Sequence, residues 1–132
     1  MDFSATAYMQ VLFSSFTAIL FLQSGIDKVL NWSDEKSFYN QHFEKTFLRN
    51  MVFLLMPIIT CIELAAGILS ALSIPLLLIN GSSALGCWGM LLACFAILML
   101  FFGQRVAKDY AGAATLVPYF LCSAAGLYFY VI

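Results

Sequence analysis

Charge is what this chain has least of. Asp, Glu, Lys and Arg make up 10% of its 132 residues, against about 25% in an ordinary soluble domain, so composition argues against a water-covered globule. A net charge of −1 offers no basic face to a nucleic acid. Histidine is nearly absent: His42 stands alone, without a second His, Cys or carboxylate at ligand spacing, and no metal site is assigned. The four cysteines (Cys61, Cys87, Cys94, Cys122) include no C-x-x-C, which argues against a disulfide-exchanging oxidase and reads as small apolar packing. A Gly-rich phosphate loop is missing, and so is a Ser–His–Asp arrangement. The first 30 residues lack a basic leader and a small-residue cleavage site, so the first apolar run is expected to be retained.

What fills the space is hydrocarbon, at 63% hydrophobic residues. A helix needs about 20 apolar residues to cross a bilayer. Four such runs can be drawn, at about 5–26, 57–79, 84–103 and 111–132. The expected fold class is therefore all-α, an integral membrane four-helix bundle. All six basic residues (Lys28, Lys36, Lys45, Arg49, Arg105, Lys108) fall between runs one and two or between runs three and four. Because Lys and Arg concentrate in short cytoplasmic loops, those loops are expected inside, with both termini and the "NGSS" turn at 80–83 outside.

The connection after the first run, "NWSDEKSFYNQHFEKTFLRN", carries its own pattern. Ser33 suits an N-cap with Asp34 and Glu35 in the first turn, and Phe38/Tyr39, Phe43 and Phe47 recur at helical spacing. The pattern predicts a short helix over about 33–48, lying in the membrane interface or offered to a partner. Pro57 suits the first turn of the second span, whereas Pro75 falls inside it. Small residues four apart (Gly67/Ala71, Gly89/Ala93, Cys122/Gly126) let helices approach closely in lipid. Trp32, Trp88, Tyr119, Tyr128 and Tyr130 read as belt and packing residues.

Polar groups inside such a chain are the candidate site. Glu63 lies six residues after Pro57, about 9 Å along a helix at about 1.5 Å per residue. Facing lipid it would be costly, so it should face the interior, pair with a cation or be protonated, as a structural anchor or as a group handling protons or a ligand. In "LFLQSGIDKVLNW", Gln23/Asp27 and Ser24/Lys28 form two i,i+4 strips at the end of the first run, and Lys28 can reach Glu63. Arg105 and Asp109 leave the third run on the same side. Gln23, Lys28, Glu63, Arg105 and Asp109 are thus expected either to line one polar pocket or to form a ring of interfacial anchors.

Three segments, "SGIDKVLNW", "PIITCIELAAGILSAL" and "GQRVAKDYAGAATLVPYFL", resemble the DoxX family of small four-helix bacterial membrane proteins. The resemblance rests on Gly25, Lys28, Pro57, Glu63, Gly67, Arg105, Asp109 and Gly112. It implies a bacterial cytoplasmic-membrane protein, more an accessory or structural subunit of a larger redox or respiratory complex than an enzyme alone. Some relatives serve as the quinone-linked subunit of thiosulfate:quinone oxidoreductase, so a quinone is the cofactor that the resemblance implies.

Overall fold

The computed structural model describes residues 4–132, and among them it is all-helical. Five helices follow in order: α1 (Ala5–Leu30), α2 (Trp32–His42), α3 (Val52–Asn80), α4 (Ala84–Val106) and α5 (Tyr110–Val131). α1, α3, α4 and α5, of 26, 29, 23 and 22 residues, are each long and apolar enough to span hydrocarbon. The chain is a multi-pass membrane protein built as a helical bundle.

Local chemistry sets the helix ends. Ser4 caps α1 by accepting from the Ala7 N–H at 3.1 Å, and Asp109 caps α5 by accepting from Gly112 N–H at 2.9 Å. α3 stops at Gly81, whose left-handed φ of 70° a glycine adopts without strain. Several boundaries differ from the pattern in the sequence: α1 runs on to Leu30 and α4 to Val106, and α2 starts at Trp32, so that Ser33 lies inside it rather than capping it. The short helix ends at His42 rather than near 48, because Thr46 bonds back to the Phe43 carbonyl at 2.8 Å and accepts from Leu48 N–H at 3.1 Å, drawing 43–51 into turns. α3 begins at Val52 rather than at 57, since Val52 and Met56 are buried and extend the packed face. Pro57 therefore lies beyond the first turn, and it leaves the Phe53 carbonyl without its usual helical donor.

Around the bundle the spans run α1, α3, α4, α5, with α5 returning to α1. Close approach of α1 and α3 is specified by two glycines: a Cβ on Gly67 would fall 2.9 Å from the Leu22 backbone nitrogen, and one on Gly25 would meet Leu64. Gly89 brings α4 equally near to α3, a Cβ there lying 3.0 Å from the Ser70 nitrogen. Phe21, Ile59, Ala66, Ala93, Ala96 and Ile97 fill the core between these helices. The outer faces carry exposed Leu, Ile and Phe, as a lipid-facing surface requires.

Candidate functional site

The α1–α3 contact buries an ion pair. Because Gly25 and Gly67 draw the two helices together, the strip bearing Ser24 and Lys28 turns inward. Lys28 Nζ lies 3.1 Å from Glu63 Oε2 and 3.4 Å from Oε1, with the two side chains 7% and 0% exposed. Ser24 completes the triangle, donating to Glu63 Oε2 at 3.1 Å while accepting from Lys28 at 3.1 Å. A carboxylate deep in an apolar bundle thus has a cation and a hydroxyl, which is what lets it stay there.

The other three expected site residues sit elsewhere. Gln23 is exposed on the neighbouring strip and bonds Asp27 at 2.5 Å, so it turns away from the pair. Arg105 lies over the Tyr110 ring, its guanidinium carbon 4.5 Å from the centroid, at the corner between α4 and α5. Asp109 caps α5 and faces His42 Nε2 at 3.8 Å. The sequence spacing placed all five at one end of the bundle, whereas helix rotation divides them between two corners.

Beside the pair lies a cavity of 190 Å3 walled by α2, α3, α4 and the 43–51 turns. Its walls are apolar, among them Phe43, Val52, Met56, Ile59, Met99 and Phe102; Tyr39 and Gln104 are the lining residues with polar side chains. α2 forms one wall and is held by a bond between His42 Nε2 and Gln104 Oε1 at 2.5 Å. His42 also stacks on Phe38, and Tyr39 on Phe43. Tyr39 lines the cavity, and the Lys28 ammonium acts on its phenol electrostatically. Burial raises its phenol above the ordinary tyrosine range, with the Lys28 ammonium opposing, so the hydroxyl is protonated at neutral pH.

At the opposite end a second polar cluster joins the helices. The Tyr130 hydroxyl meets Ser14 Oγ at 2.5 Å and Ser73 Oγ at 3.4 Å, and it points toward the Gln10 carbonyl at 3.5 Å. Of the belt and packing roles expected for the aromatics, Tyr130 takes the packing one: it is buried, and Gly86 makes room for its ring. Glu63, Ser70 and Ser73 recur at a spacing that aligns them on one face of α3, a signal legible in sequence; the convergence of Ser14 and Tyr130 on that face was not.

No protein-family model, curated protein or solved structure matches this chain.

Proposed function

We propose that this is a DoxX-like protein of the bacterial cytoplasmic membrane, an accessory subunit of a larger redox-linked complex that contributes a binding place for a quinone-class amphiphile. The cavity carries this reading. Ligand sites are mostly apolar concavities with few, well-placed polar groups, and this one combines hydrocarbon walls with two lining residues that carry polar groups, Tyr39 and Gln104. At 190 Å3 it is smaller than the roughly 300–1,000 Å3 of drug-sized sites. It suits a ring head whose tail runs out between the helices into lipid. Subunit status rests on the resemblance of the segments around Lys28, Glu63 and Asp109. In this reading the basic ends of α1 and α4 face the cytoplasm, because all six Lys and Arg lie there.

Purification in gentle detergent, followed by mass spectrometry of partner polypeptides and of organic extracts, tests both halves. A Cβ on Gly103 would stand 3.2 Å from Phe43 Cζ, so Gly103→Leu pushes a side chain into the cavity. Wild type should retain a quinone above the level of the bulk lipid extract, Gly103→Leu should lose it, and partner polypeptides should accompany both. Wild type without enriched quinone removes the ligand half of the reading, and wild type without reproducible partners removes the subunit half.

A further inference from the structure

Side-chain exposure tells where the cavity opens. Its walls come from α2, the 43–51 turns, α3 and α4, and among the described residues none of α1 or α5 lines it. The end under α2 is roofed. Leu48 and Val52 are buried there, Phe43 lies so close to Gly103 that a Cβ would stand 3.2 Å from its ring, and the bond between His42 and Gln104 holds α2 in place. On α3 the inner wall is closed by buried Met56 and Ile59. Toward lipid the wall thins: among the described lining residues Phe102 alone is exposed, at 57%, and Leu55 on α3 and Met99 on α4 are half-buried.

Phe102 also belongs to a second surface. Phe95, Leu98 and Phe102 are all exposed and share one face of α4, since they stand three, four and seven residues apart. The mouth lies four residues before the end of α4 at Val106, near the membrane surface. From there, seven residues at about 1.5 Å each carry the stripe about 10 Å to Phe95, at the middle of the helix. An amphiphile keeps its head near the surface and its tail in hydrocarbon, which is the order in which cavity and stripe follow each other.

We infer that the cavity opens sideways into lipid through the seam between α3 and α4, past Leu55 and Phe102, and that a bound amphiphile lays its hydrocarbon tail along the Phe102, Leu98 and Phe95 stripe of α4. The inference rests on the cavity reading above and adds a tail subsite to it. The ligand is drawn from the membrane phase, so water never has to cross the apolar mouth.

The probe is decyl-1,4-benzoquinone carrying a bromine at the end of its chain, compared with the unbrominated molecule on full-length protein in lipid nanodiscs. Bromine quenches tryptophan fluorescence at contact range, so quenching beyond that of the unbrominated quinone locates the tail. In a Trp32→Phe/Trp88→Phe background, the reporter is introduced by Phe95→Trp, by Phe102→Trp, or by Ile19→Trp on the exposed outer face of α1. Phe95→Trp and Phe102→Trp should show saturable excess quenching that the unbrominated quinone competes away, and Ile19→Trp should show only the unsaturable rise of probe dissolved in lipid. Equal excess quenching at all three positions, or saturable quenching confined to Ile19→Trp, overturns the tail path. Binding to wild type is read separately from the rise in melting temperature with the unbrominated quinone. No rise removes the cavity reading itself, whereas a rise without excess quenching at either α4 reporter leaves the cavity standing and overturns the lateral opening.

Discussion

Truncating Lys28 to alanine strands the Glu63 carboxylate in a site where it is 0% exposed. At 3.1 Å and an effective dielectric of about 20, the attraction lost is about 5 kcal/mol. Most of that attraction offsets the cost of dehydrating two charges, so the pair itself adds little relative to an apolar replacement. The asymmetry is what can be measured. Removing one partner should destabilise by about 3–5 kcal/mol, whereas Lys28→Met/Glu63→Leu should fall within about 1 kcal/mol of wild type. Helices unfolded within a lipid-like phase also find partners, which pulls the single-variant losses toward the low end. Glu63→Gln should lose less than Glu63→Ala, because the amide oxygen still accepts from Ser24 and Lys28. Unfolding in detergent, followed by the fluorescence of Trp32 and Trp88, gives all five proteins on one scale. A double variant as unstable as the worse single, or single variants indistinguishable from wild type, would refute the account of the pair as a mutually dependent strut.

Three further outcomes follow from particular contacts. Gly67→Ala should cost about 1–3 kcal/mol by forcing α1 and α3 apart, since the new Cβ meets the Leu22 backbone at 2.9 Å, while Gly103→Ala, facing only the end of the Phe43 ring, should be tolerated in the same unfolding assay. Tyr130→Phe should cost about 1–2 kcal/mol, because Ser14 loses its partner in the core and must fall back on its own helix's Gln10 carbonyl; a melting temperature equal to wild type would make the cluster dispensable. Single cysteines at Ser37 and Ser82, in a background lacking Cys61, Cys87, Cys94 and Cys122, should report opposite sides of the membrane: an impermeant thiol reagent on intact spheroplasts should label Ser82→Cys and spare Ser37→Cys, and the reverse pattern inverts the proposed orientation.

Sequence by itself determined the number and class of the helices, and the physical reason is the solvent. Hydrocarbon offers no partner for backbone N–H and C=O groups, so runs of 22–29 residues with almost no charge become helices whatever their neighbours do. It also marked Glu63 as a residue needing a partner, because an isolated carboxylate is untenable at that depth. Which groups would meet was decided by tertiary structure. Gln23/Asp27 and Ser24/Lys28 have the same i,i+4 spacing, and only the rotation of α1 imposed by the Gly25–Leu64 and Gly67–Leu22 contacts turns one strip toward Glu63 and the other outward. Arg105 has a choice of anions by spacing, yet the turn after α4 lays it on Tyr110. The end of α2 at His42, the burial of Tyr130 and the cavity bounded by Tyr39, Met56 and Gly103 each depend on elements far apart in the chain. Periodicity within one helix carries no record of such meetings, since it reports which face a residue shares and not what that face will touch.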